Sequence, residues 1–184
     1  MKIDTGLTED AVNGVVHILN ENLCDEYVLY TKTRNFHWNV TGPEFAQLHA
    51  FFERQYHELD ETVDEVAERV RALGGWPPST LSEFADRSHL SEHPGVYSDA
   101  AAMVGELAKN HESVIRRLRN DVLTCERKYG DAGTANFLCE ILERHEKMAW
   151  MLRAHLGTER REPARSAAGR KQLELRDDPS GAGE

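Results

Sequence analysis

A chain of 184 residues with 40% hydrophobic content suits one domain with a sizeable buried core. Its 32 acidic against 22 basic residues leave a formal charge of −10, which disfavours general affinity for nucleic-acid phosphates and favours cations. Acidic residues stand where a signal peptide needs a basic start, no charge-free apolar run reaches membrane length, and Cys24, Cys125 and Cys139 include no C-x-x-C pair. The expectation is a cytoplasmic protein with small buried thiols, no zinc ribbon and no disulfide framework.

Residues 1–7 form a short arm with one Lys and one Asp. Thr8 suits a helix N-cap, with Glu9 and Asp10 at the positive end of the helix dipole. Val12, Val16, Leu19, Leu23, Tyr27 and Tyr30 then make the buried stripe of a first helix running to about Trp38. Gly14 inside it costs roughly 1 kcal/mol against Ala and marks close helix packing.

A tight corner leads into a long second helix, with Pro43 in its first turn and Gly74-Gly75 before Pro77-Pro78 as its stop. Phe45, Leu48, Phe52, Tyr56, Leu59, Val63, Val66, Val70 and Leu73 recur at three- and four-residue steps and form the core face. Beside them His49, Glu53, His57, Asp60, Asp64 and Glu68 make a second stripe of imidazoles and carboxylates at the same steps.

A carboxylate run on an acidic protein is ordinarily a solvated face, and the histidines change that reading. Asp64 and Glu68, one turn apart, can aim at one ion, and this donor mixture suits iron, manganese or zinc. His49 precedes Asp64 by 15 residues, roughly 22 Å along a helix axis, so the two cannot share an ion within one straight helix. Other helices of a bundle could complete a site through paired Glu-x-x-His motifs, but no Glu here has His three residues later. Alternatively, two antiparallel copies of the helix across a two-fold axis would bring His49 of one chain to Asp64 and Glu68 of the other. His37 and His49 flank the corner, so a helical hairpin places both imidazoles at one end.

The middle connection carries L-S-E-F-A-D-R-S, a short amphipathic helix begun by Ser79 or Thr80 and anchored by Leu81 and Phe84. His89 and His93 read as exposed loop histidines. Ser98 caps a third helix, with Asp99 in its first turn and Met103, Leu107, Val114, Leu118, Val122 and Cys125 on its apolar stripe. His111 falls on that stripe and reads as a hydrogen-bonded core histidine. Thr134 or Asp131 caps a fourth helix carrying Leu138, Ile141, Leu142, His145, Met148, Leu152 and Leu156. The fold class is therefore all-α: a four-helix bundle over residues 8–156 with ferritin-like connectivity and a short extra helix in the crossover between helices two and three. Residues 157–184 change composition and read as a mobile tail in which six basic residues are offset by six acidic ones.

N-F-H-W-N-V-T-G at 35–42, L-H at 48–49, V-D-E-V-A-E-R at 63–69 and A-L-G-G at 72–75 together closely resemble the Dps family, ferritin-like mini-ferritins named for protecting DNA in starved cells. The resemblance runs from about Val12 to Leu156. It implies a homo-oligomer, a hollow dodecamer whose ferroxidase sites lie at two-fold interfaces and oxidise ferrous iron with hydrogen peroxide or dioxygen. Carried over by position, His37 and His49 are the imidazole ligands, and Asp64 and Glu68 the partner chain's carboxylates. Glu53 stands where the family commonly has Asp, one methylene shorter, and Trp38 matches an aromatic beside the iron. Asp60 and Glu61 are candidates for nucleating ferric mineral, and Glu126 and Asp131 for lining a pore. The alternative function is a nucleoid-compacting DNA-binding protein with incidental iron; the acidic total and near-neutral tail count against it.

Overall fold

The computed structural model describes residues 4–157, among which there are five α-helices and no strand. Helices α1 (Glu9–Asn39) and α2 (Phe45–Ala72) pack along one another, as do α4 (Ala100–Arg127) and α5 (Ala132–His155). Each pair is closed by a short corner, at 40–44 and at 128–131. Between the pairs runs the long crossover, which carries α3 (Leu81–Arg87) back onto α1. Among the described residues no helix is long and apolar enough to cross a membrane.

The apolar stripes meet in one core. Leu19, Leu23 and Leu29 of α1, Phe52, Leu59 and Val66 of α2, Leu107 and Leu118 of α4, and Leu138, Ile141 and Leu152 of α5 are all buried, each worth about 1.5–3 kcal/mol against exposure. Gly14 does mark a close approach: a Cβ there would stand 2.2 Å from Cζ of Tyr129, so the ring at the end of α4 uses the missing side chain as its seat. Gly74 ends α2 at φ 86°, a conformation that side-chain-bearing residues seldom adopt, and the amide of Gly75 reaches back to the Val70 carbonyl at 3.0 Å.

Helix starts follow the local chemistry with some differences from the sequence reading. Thr8 caps α1, its Oγ1 accepting from the Ala11 amide at 3.2 Å. Pro43 lies in the corner rather than in the first turn of α2. Gly42, at φ 113°, turns the chain there, and the Phe45 amide donates to the Gly42 carbonyl at 3.1 Å. Thr80 caps α3 through a capping box with Glu83. Phe84 anchors that helix by stacking on Tyr27 at 4.0 Å, but Leu81 is 73% exposed, because so short a helix turns only one large side chain inward. Asp99, not Ser98, caps α4: its Oδ1 takes the Ala102 amide at 2.8 Å, and a carboxylate suits the dipole better than a hydroxyl. Asp131 caps α5 by accepting from the Thr134 amide at 2.9 Å, so this buried carboxylate serves the helix end. Late in α5, Trp150 is 52% exposed, whereas Leu152 is buried.

One polar chain crosses the core. His111 and His145 place their Nδ1 atoms 2.9 Å apart, and Nε2 of His145 lies 2.8 Å from Oε1 of Glu26, all three side chains being fully buried. His111 is thus the hydrogen-bonded core histidine expected. Burial first, and its neighbour His145 second, push its pKa well below the ordinary imidazole value, so it is neutral. Cys24 and Cys125 are buried and Cys139 partly so. Residues 1–3 of the arm and 158–184 of the tail lie outside the described residues.

Candidate metal centre

The corner between α1 and α2 sets the last turn of one helix against the first turns of the other. His37, buried at the end of α1, and His49, half-buried near the start of α2, stack ring on ring with centroids 3.8 Å apart. Their hydrogen bonds are reciprocal. Nδ1 of His37 lies 2.8 Å from the His49 carbonyl, and Nδ1 of His49 lies 2.8 Å from the His37 carbonyl. A carbonyl can only accept, so each Nδ1 carries a proton, and in the neutral ring each Nε2 is left with its lone pair. This is the tautomer a metal-binding imidazole needs, with the ring orientation already held by its other nitrogen. The arrangement also occupies the His37 carbonyl, one of those a helix end leaves unpaired.

Aromatic side chains wall the pair. Tyr56, placed by periodicity on the core face, turns its ring edge to His37 at 5.2 Å, and Phe45, 45% exposed, lies against His49 at 5.1 Å. Trp38 is 64% exposed and carries the Arg34 guanidinium 5.2 Å over its ring. The same guanidinium faces Tyr30 and Tyr56 at 5.8 and 5.6 Å. Periodicity gives Tyr56 to the core rather than to the site, and the sequence reading does not name Arg34. The available signals were spacings: Tyr56 falls two turns after His49, and Arg34 about one turn before His37.

The carboxylates stand elsewhere. Asp64 and Glu68 lie on the exposed face of α2, and Glu53, one turn beyond His49, is exposed as well. None of the three has a hydrogen bond or cationic partner among the described residues. The contrast with Glu65 is direct: the position next to Asp64 is taken by Arg144 at 2.6 Å. Fifteen residues still separate His49 from Asp64 on one helix, roughly 22 Å. Among the described residues of a single chain, no three His, Cys, Asp or Glu side chains converge on a point that could hold a metal. The structure therefore brings His37 and His49 together, and leaves Glu53, Asp64 and Glu68 uncommitted on the outer face of α2.

Two helical hairpins joined by a long crossover that carries a small helix define a ferritin-like protein. The family model for the ferritin-like domain matches residues 16–161. A low temperature-induced protein of Nostoc sp. is 42% identical over 162 residues, 88% of this chain and 90% of that protein. The DNA protection during starvation protein 2 of Bacillus anthracis is 38% identical over 143 residues, 77% of this chain and 96% of that one. Among solved structures, the Dps protein of Vibrio cholerae O1, described as a member of a broad superfamily of ferritin-like diiron-carboxylate proteins, superposes with a TM-score of 0.78 at 30% identity, covering 85% of this chain and 98% of that one. The chain belongs to the Dps family of ferritin-like proteins.

Proposed function

We propose that the protein is a ferroxidase and iron store whose reaction site is completed by two chains. The observation that carries this reading is the His37–His49 lock, which presents two imidazole Nε2 lone pairs at one end of the hairpin. Across a two-fold axis, Asp64 and Glu68 of the partner subunit supply the oxygen donors, and among the described residues no cation of their own chain pairs with these carboxylates, which leaves them available. Glu53 joins as an acidic ligand or through a bridging water. Dodecameric assembly, as the family resemblance implies, would enclose the product.

Ferrous iron is the substrate. Imidazole and carboxylate together accommodate both of its oxidation states, and ligands on rigid helices need little rearrangement between them. With hydrogen peroxide as oxidant, two ferrous ions give up one electron each, the O–O bond breaks, and two protons complete two waters. Taking both electrons together yields no hydroxyl radical. Dioxygen is the other oxidant to test. Ferric product moves inward, where the exposed Asp60 and Glu61 offer oxygen donors for mineral growth.

Iron oxidation followed by absorbance decides the matter. His37→Ala and Asp64→Ala should each slow it at least about tenfold, the loss of about 1.4 kcal/mol or more of stabilisation. Unchanged rates in both variants would remove the site. DNA compaction, suggested by the names of relatives, is the weaker reading for a chain of net charge −10. A gel shift at low and moderate salt separates the two, and stable retardation at moderate salt would favour DNA.

A further inference from the structure

Within α2, His57 is a second histidine on the outer face, and the site at the corner does not use it. It is exposed, its ring centroid lies 4.5 Å from that of Tyr56, and neither nitrogen has a hydrogen bond or ion pair among the described residues. Asp60, one turn further on, is also exposed and has no cationic partner there. Considered alone, this is an ordinary solvated face. Its position along the helix makes it something else.

The inference rests on the two-chain reading above. A two-fold axis that sets His49 against the partner's Asp64 and Glu68 runs the two copies of α2 in opposite directions. Residues at one end of the helix then face residues at the other, and the position halfway between faces its own copy. Halfway between His49 and the Asp64–Glu68 pair is His57. Asp60 lies less than a turn from that midpoint, on the same stripe, because residues three apart on a helix are surface neighbours.

We propose that His57 and Asp60, with His57 and Asp60 of the partner subunit, form a divalent-cation site on the two-fold axis, separate from the two iron-oxidising sites. Two imidazole nitrogens and two carboxylate oxygens make a mixed donor set suited to zinc, cobalt or ferrous iron rather than to calcium or magnesium. Eight residues of helix separate His57 from His49, roughly 12 Å, so an ion on the axis shares no ligand with either flanking site. The cation also answers an electrostatic difficulty. The axis brings two Asp60 carboxylates, followed by two Glu61 carboxylates, from chains that are already strongly acidic, and like charges at such spacing oppose pairing. A bound divalent ion turns that repulsion into a tie between subunits.

The test uses the full-length protein freed of metal and cobalt(II) alone as probe, without oxidant, with bound metal counted and its visible absorption recorded. His57→Ala should lose about one cobalt ion per pair of chains, with the matching part of the spectrum. Asp60→Asn should weaken the same ion, and iron oxidation by His57→Ala should stay within about twofold of the unaltered protein, since no ligand of the flanking sites is touched. His37→Ala should lose the other cobalt ions and keep this one. Should His57→Ala bind as much cobalt as the unaltered protein while His37→Ala binds less, the axial site is wrong and the ferroxidase reading stands. If His37→Ala changes neither cobalt binding nor iron oxidation, the two-chain register fails and the axial site falls with it.

Discussion

Glu26 and His145, 119 positions apart in sequence, meet at 2.8 Å in the middle of the bundle with no exposed surface on either. A carboxylate this deep is tolerable only while it keeps its partner, because an unpaired buried charge costs several kcal/mol. His145→Leu should therefore destabilise the protein by about 3–5 kcal/mol, whereas Glu26→Met combined with His145→Leu should recover most of that loss. Denaturant unfolding at one fixed protein concentration provides the comparison, since assembly contributes to stability. Equal losses in the single and double variants would show that Glu26 does not depend on His145.

The shared site makes a prediction that a single-chain site cannot. In a pair formed from one His37→Ala chain and one Asp64→Ala chain, one site carries both lesions and the other carries none. Random reassembly of the two inactive variants should thus restore about a quarter of the unaltered activity, because half of the pairs are mixed and each mixed pair has one intact site. Iron oxidation before and after dissociation and mixing measures this. No recovery, with assembly verified by mass, would place all the ligands in one chain.

Gly14 and Tyr129 give a test in which a substitution changes sign. Gly14→Ala removes a helix-interior glycine, a gain of up to about 1 kcal/mol, but drives a methyl into the Tyr129 ring, and overpacking of this kind costs about 1–3 kcal/mol. The net effect expected is a loss of about 1 kcal/mol, and in a Tyr129→Ala background the same change should stabilise. A loss of the same size in both backgrounds would mean that the ring is not what Gly14 accommodates.

Asp121 supplies a pH dependence. Its carboxyl is raised above the ordinary aspartate value by burial, an effect that the Asn22 amide at 2.8 Å and the Arg117 guanidinium oppose without cancelling. The folded chain therefore holds this proton at pH values where the unfolded chain, with an aspartate pKa of about 3.9, has released it. Stability attributable to the group falls as pH rises from that value through the raised one. Asp121→Asn, which keeps an oxygen for Asn22, should raise the unfolding midpoint at pH 7, and the gain should vanish near pH 4. A gain of the same size at both values would show that the proton is not involved.

Much of this molecule could be read from residue order because helical order is local. Steps of three and four residues mark which face of each helix is buried, Gly74-Gly75 ends α2 through its own backbone, and the polar stripe of α2 lies beside the apolar one whatever else the chain does. Gly14 could be flagged as a close approach for the same reason, though not the ring it admits. Details at helix ends were less legible. Ser98 and Asp99 are both good caps, and the residue at which the backbone turns from extended to helical, Asp99, is fixed only in the structure. Leu81 has the right periodicity for burial, but α3 is so short that only Phe84 turns inward.

What residue order determined is the composition of each surface: a core stripe, a stripe of acids and imidazoles, and two histidines flanking a corner. The tertiary structure decided which groups meet. Pairing α1 with α2 locks His37 and His49 by their Nδ1 protons and turns both Nε2 atoms free, pairing α4 with α5 joins His111 to His145, and packing α1 into the same core brings Glu26 to His145. Helical periodicity acts over a few residues, whereas the axial register of two helices depends on the packing of every side chain between them, which no short stretch of sequence contains.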